Sequence, residues 1–220
     1  MCIRDRFYCC LGLNSVDIPE GVTSVADKAF AWCGAYKTFG SSYSCSNFRK
    51  VTLPSTLSTI GASAFSNCQV LQSINIPEGI TEIQDNTFEY CYQLSSIIIP
   101  KGIKKIGNRT FAHNQSLKTI TFSWNAPQID SKAFDGGISS SNREVIATCY
   151  YPSNNPLWTS SMLQDYGGKL TWVAKEMVKP SGGTESDTGN NNNGSNNNGS
   201  DNNGSNNNGS DNNGSNNNGS

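Results

Sequence analysis

The chain is 220 residues long, and its 16 basic and 17 acidic side chains leave a net charge of −1. Without a run of like charge it lacks the basic patch that nucleic acid or an anionic membrane surface requires, and no apolar stretch approaches the roughly 18 residues of a membrane-spanning helix. Its eight cysteines are too sparse for a disulfide-dense scaffold and include no Cys-x-x-Cys zinc spacing.

The first residues stand apart. Met1 to Arg6 (MCIRDR) has no apolar region and no cleavage pattern, so it is not a signal peptide. It resembles a translated sequencing-adapter remnant, and residues 1–10 are read as an irregular leader. The other end of the chain stops within a repeated pattern, so the whole is read as a fragment of a longer protein.

Residues 11–138 repeat themselves. Phe65, Phe88, Phe111 and Phe134 are spaced by 23 residues, as are Pro54, Pro77 and Pro100. Ile60, Ile83, Ile106 and Ile129 keep that spacing, and so do Leu71, Leu94 and Leu117. Pro19, Phe30 and Cys33 lie 35 residues before Pro54, Phe65 and Cys68. The excess, 35 − 23 = 12, falls in a Gly- and Ser-rich insertion near 34–47, the composition expected of a loop.

Within one repeat, Ser73 to Ile76 alternates polar and apolar side chains and reads as a short strand with Ile74 and Ile76 inward. Pro77-Glu78-Gly79 reads as a turn. Ile80 to Ile83 is a second extended segment, and Asp85 to Phe88 is expected to form one helical or 3₁₀ turn that drives Phe88 inward. A coil of this length cannot bury its own apolar face. Stacked on its neighbours it can, with strands in a parallel ladder about 4.8 Å apart. The expected fold class is a repeat solenoid, mainly β with short helical or 3₁₀ turns.

The pattern Ile-x-Ile-Pro-x-Gly-Ile-x-x-Ile, followed by Phe and x-x-Cys, resembles the BspA-type leucine-rich repeats of bacterial and protist surface proteins. The resemblance runs from Leu13 to Phe134, over five repeats. It implies a right-handed coil, an extracellular or cell-surface location, adhesive roles and no catalytic residues. The fifth repeat departs from the pattern, with Ser123 where the turn proline would fall and Ala126 in place of Ile; terminal repeats are commonly atypical.

Residues 139–176 break the period and read as a C-terminal cap, or alternatively as a small binding unit. Val145 to Tyr151 is expected as a strand, Leu157 to Tyr166 as a helix stopped by Gly167-Gly168, and Leu170 to Val173 as a last strand. Trp158 and Trp172 are expected to close the open end of the apolar column. Residues 177–220 read as a disordered Asn/Gly/Ser linker, because Gly189 to Ser220 contains only Gly, Asn, Ser and Asp and has nothing to bury. A further domain or anchor is expected beyond it.

Cys33, Cys68 and Cys91 share one repeat slot with Asn114. That mixture points to a structural ladder rather than a metal or redox site, and Cys68 and Cys91 are expected to stay reduced. His113 is the single histidine. Its equivalents are Asn67 and Tyr90, so it is expected at a variable, exposed position and not in a catalytic group. Glu82, Asp85 and Glu89 fall on outward or turn positions, which suits solubility better than glycoside hydrolysis. No phosphate loop, zinc helix or EF-hand string occurs, and no cofactor or metal is expected.

The strand face supplies the candidate binding residues. If Ile74/Ile76, Ile97/Ile99 and Ile120/Phe122 point inward, then Lys50, Thr52, Ser73, Asn75, Ser96, Ile98, Thr119 and Thr121 point outward. Aromatic side chains, Trp32, Tyr36, Tyr43, Tyr90 and Tyr92, are expected on the loop edge. The expected function is a non-catalytic module that binds a protein or glycan. A stalk or spacer, or a targeting module of a larger surface enzyme, is the alternative.

Overall fold

The computed structural model describes residues 2–3, 7–10, 12–34, 47–137 and 144–180, all within one unit, Met1–Ser181. The tail from 181 to 220, residues 35–46 of the insertion with Tyr36 and Tyr43, residue 138, and residues 139–143 of the expected cap lie outside the described residues.

The strands are short and regularly spaced. In chain order they are β1 (Cys2–Ile3), β2 (Ser15–Asp17), β3 (Ser24–Val25), β4 (Lys50–Thr52), β5 (Thr59–Ile60), β6 (Ser73–Ile74) and β7 (Glu82–Ile83), then β8 (Ser96–Ile99), β9 (Lys105–Ile106), β10 (Thr119–Phe122), β11 (Gln128–Ile129), β12 (Ile146–Pro152) and β13 (Lys169–Lys175). They sort into two tracks. One track holds the sheets β2-β4-β6 and β8-β10-β12-β13; the other holds β1-β3-β5 and β7-β9-β11. Strands of one track pair in parallel, with identical repeat positions opposite one another: Ile97 faces Ile120 and Ile83 faces Ile106. The 23-residue period therefore converts directly into register. Among the described residues no helix is long and apolar enough to cross a membrane.

A third ladder runs along the turns. The amides of Asn86, Phe88 and Tyr90 donate to the carbonyls of Asn108, Thr110 and Ala112 in the next coil, at 2.9–3.0 Å. The equivalent bonds join Ser63, Phe65 and Asn67 to Asp85, Thr87 and Glu89. This segment is not the helical turn expected for Asp85 to Phe88. Residues two before and two after Phe30, Phe65, Phe88 and Phe111 adopt left-handed φ: Lys28, Ser63, Asn86 and Arg109, then Trp32, Asn67, Tyr90 and His113, all between 51° and 64°. A helix directs its amides back along its own axis. Alternating left- and right-handed residues turn every second amide toward the neighbouring coil instead.

The Phe residues form one column. Successive rings from Phe7 through Phe30, Phe65, Phe88 and Phe111 to Phe134 lie 5.1–5.7 Å apart and within 15° of parallel, an offset-stacked spacing. The column begins one coil earlier than the sequence suggests. Phe7 and Cys10 lie 23 residues before Phe30 and Cys33, Phe7 stacks on Phe30, and β1 pairs with β3. Residues 2–3 and 7–10 are thus part of the stack and not an irregular leader.

At the far end β12 and β13 extend the first track. Between them only Ser160–Met162 is helical, a single 3₁₀ turn, where a longer helix is expected from the sequence. Side chains there bond locally, Thr159 with Ser161 and Gln164 to the Ser161 carbonyl, which competes with helix formation. Trp158 and Trp172 cover Phe122, at 4.9 and 5.6 Å. They do not close the Phe column. That end is covered by Tyr166 to Gly168, whose first carbonyl accepts from the Phe134 amide at 3.0 Å.

Candidate functional site

The outward side chains of the first strand track form two rows, because a strand alternates its faces and parallel pairing stacks equal positions. In the first row Ser15 faces Lys50 and Lys50 faces Ser73; further on, Ser96, Thr119, Thr148 and Thr171 stand opposite one another. In the second, Asp17 faces Thr52, and Ile98, Thr121, Tyr150 and Val173 follow in register. Ile98 is 62% exposed although Ile97 and Ile99 beside it are at most 2% exposed, so its aliphatic surface is presented to solvent and not to the core.

Lys50, Ser73 and Ser96 are exposed, while Thr52, Thr119 and Thr121 are half-buried. Asn75 is exposed as well, but its amide group is engaged: Oδ1 accepts from the Leu53 amide and Nδ2 donates to the Leu53 carbonyl. This side chain bridges two coils next to the two-residue strand β6. Thr148, Tyr150, Thr171 and Val173 lengthen both rows beyond the residues legible in the sequence. Their strands are expected there, but the broken period hides their register.

Tyr90 and Tyr92 meet edge to face at 6.0 Å on the turn edge, away from the strand rows. His113, expected to be exposed, is buried at 6%. Its imidazole stacks on Tyr90 at 4.2 Å and 2°, and the Gly137 backbone lies against the ring. Arg109 donates twice to Glu89 Oε1, at 2.8 and 2.9 Å, and once to Asp135 Oδ2 at 3.3 Å. Burial opposes its charge, but the bonds from Glu89 and the charges of Glu89 and Asp135 raise the Arg109 pKa.

The other carboxylates are also engaged. Glu82 pairs with Lys105 at 2.6 Å, and Asp85 accepts from the Asn108 amide at 2.8 Å. Cys33, Cys68 and Cys91 are buried, and each thiol donates to the carbonyl of a Phe one coil back: Phe7 at 2.9 Å, Phe30 at 3.1 Å and Phe65 at 3.3 Å. All three are free thiols. Burial pushes the Cys33 thiol up to about 12 and raises Cys68 and Cys91 as well. Asn114 fills the same slot in the next coil and is fully buried. Among the described residues no group of three or more His, Cys, Asp or Glu side chains is placed to hold a metal ion.

Comparison with known proteins adds to this geometry. The model of the BspA type leucine rich repeat region matches in six copies, over residues 3–42 and 37–155. The structure is similar to a leucine rich cell surface protein from Faecalibacterium prausnitzii, with 28% identity and a TM-score of 0.52. That match covers 69% of this chain and 34% of the other, so the chain spans about a third of that protein's length. A leucine rich repeat protein from T. pallidum shares the fold at 23% identity and a TM-score of 0.51, covering 74% of this chain and 72% of that one. No curated protein matches the chain.

Proposed function

We propose a non-catalytic binding role for this chain, which belongs to the BspA-type leucine-rich repeat family. The ligand is a protein or a glycan and meets the outward rows of the first strand track. The observation that carries this reading is the register of Ser96, Thr119, Thr148 and Thr171 beside Ile98, Thr121, Tyr150 and Val173. It makes a face of hydroxyls and aliphatic or aromatic groups, with the Lys175 ammonium 5.9 Å over the Tyr150 ring as the charge beside them. Such a surface offers hydrogen bonds and apolar contact together, the mixture found in binding faces of repeat proteins.

A non-catalytic reading is supported by the engagement of Glu82, Asp85 and Glu89 in ion pairs and turn caps. The solved relative from Faecalibacterium is a cell surface protein, and a surface or extracellular location is proposed here on that likeness. The test is an array of glycans and purified extracellular-matrix proteins probed with the full chain. Saturable binding that is lost when Ile98 and Tyr150 are changed to Asp supports the reading. Binding that ignores both changes places the site elsewhere, and no binding on any array element favours a spacer.

A further inference from the structure

The turn edge holds a polar group that spans three coils. Glu89 and Tyr90 lie in one coil, Arg109 and His113 in the next, and Asp135 with Gly137 in the one after. His113 Nε2 is 2.8 Å from Arg109 Nη2. A guanidinium has no acceptor and does not deprotonate in proteins, so Nε2 must be the acceptor and the imidazole must be neutral. The ring is held from both sides, by Tyr90 at 4.2 Å and by the Gly137 backbone, where an added β-carbon would stand 3.2 Å from Cε1.

We propose that His113 is an acid-sensitive latch: its neutral imidazole accepts from Arg109 and closes the turn edge over three coils, and its protonation expels Arg109 and loosens that edge. Protonated Nε2 has no lone pair, and it would place one cation against another at hydrogen-bond distance. Among the described residues, the charged and titratable groups seen facing this pair are Glu89 and Asp135, both bonded to Arg109, and Tyr90, stacked on the ring. Both carboxylates already hold the guanidinium, so relief of the repulsion requires Arg109 to leave at least one of them. The bonds that weaken next are the inter-coil amides of the same edge, Tyr90 to Ala112 at 3.0 Å and Phe111 to Ala133 at 2.8 Å. This inference is independent of the strand face and of any ligand.

The chain has one histidine, so its imidazole is followed without ambiguity by NMR. The full chain is titrated from about pH 7.5 to about 4.5, through and below the ordinary imidazole range, while the Arg109 Nε–H signal and amide hydrogen exchange are recorded. The expected result is that the Arg109 signal shifts with the His113 titration. Protection of the Tyr90 and Phe111 amides, corrected for intrinsic exchange, falls about tenfold, the size of one charge-assisted bond lost. Protection at Phe30 and Phe65 holds. In His113→Gln, whose side-chain oxygen reaches the place of Nε2, the acceptor remains but does not titrate, and protection stays level. An equal fall in both proteins, or a uniform fall over all coils, overturns the latch. Should the variant not fold, the wild-type titration decides alone: an Arg109 signal that is silent while His113 titrates overturns it as well.

Discussion

Gly107 packs its bare α-carbon against Asp85 of the preceding coil, where a β-carbon would stand 2.7 Å from the Asp85 amide nitrogen and 2.9 Å from the Gln84 carbonyl carbon, and in contact with the Asp85 carboxylate. Gly61 meets Asp27 in the same way. In both coils the Asp accepts from the amide that follows the glycine, Ala62 or Asn108, at 2.8 Å. The glycine is required because backbone, not a flexible side chain, fills the space. Gly107→Ala is therefore expected to cost about 1–3 kcal/mol, the usual range of overpacking. Urea unfolding measures it; a variant as stable as the parent would show that the coils separate easily at this point.

Asn114 ends the thiol ladder with a mismatch. Its Oδ1 and Nδ2 are buried and have no hydrogen-bond partner among the described residues, whereas the thiols of Cys33, Cys68 and Cys91 in the same slot of the three preceding coils each bond a Phe carbonyl. A buried amide without partners costs about 1–3 kcal/mol. Asn114→Cys removes that cost and offers a thiol to the Phe88 carbonyl. The expected outcome is a gain of similar size, seen as a melting temperature higher by several degrees. A lower melting temperature would mean that Asn114 has a role the ladder does not describe.

How far the fold is legible in the sequence follows from what a spacing encodes. The 23-residue period fixes which side chains stack, so Phe65 to Phe134, the inward isoleucines and the outward Ser96, Ile98, Thr119 and Thr121 are all readable. The same period reaches Phe7 and Cys10, but an unusual leader obscures it. Period alone does not reveal backbone handedness. Bulky Trp32, Tyr90 and His113 at left-handed φ give no sign in the sequence, since such positions favour Gly or Asn. Nor does it reveal side-chain bonds across coils. Asn75 reads as a free surface amide and is in fact tied to Leu53, and His113 reads as exposed because its cover, Tyr90 and Gly137, comes from two other coils.

Burial of the thiols sets a pH dependence. Burial pushes Cys33 and Cys149 up to about 12 and raises Cys68. In the unfolded chain a cysteine ionises near about 8.5. A group whose folded pKa lies above its unfolded value contributes stability that is intact below the unfolded pKa and is lost as pH rises. Stability should hold below about pH 8 and then fall, by about 1.4 kcal/mol per pH unit for each buried thiol up to its folded pKa. Chemical unfolding between about pH 7 and 10 tests this, compared with Cys33→Ala/Cys149→Ala. Equal slopes in the two proteins would remove the thiols as the cause. A thiol reagent at neutral pH should label exposed Cys9 while the native chain keeps Cys33, Cys68 and Cys91 unlabelled.

The strand face and the turn edge make separable predictions for binding. Ser73→Lys, Ser96→Lys and Thr121→Lys together place three cations on outward positions without touching the Phe or Ile columns. Asn75 is left unchanged because its amide joins two coils. Outward substitutions commonly alter stability by less than about 0.5 kcal/mol each, and repulsion along a rung adds modestly to that. The variant should remain folded by circular dichroism. A ligand held by hydroxyl groups should lose several hydrogen bonds of about 0.5–1.5 kcal/mol each, enough to weaken binding on the array by at least tenfold. The companion variant changes Tyr90 and Tyr92 to Ser on the turn edge, which lies apart from both rows, and should bind as the parent does. The opposite pattern, normal binding by the lysine variant and loss in the tyrosine variant, would move the site to the turn edge. Loss in both, with both proteins folded, would require a ligand large enough to reach from one surface to the other, and a truncation series of that ligand would then show which contact is made first.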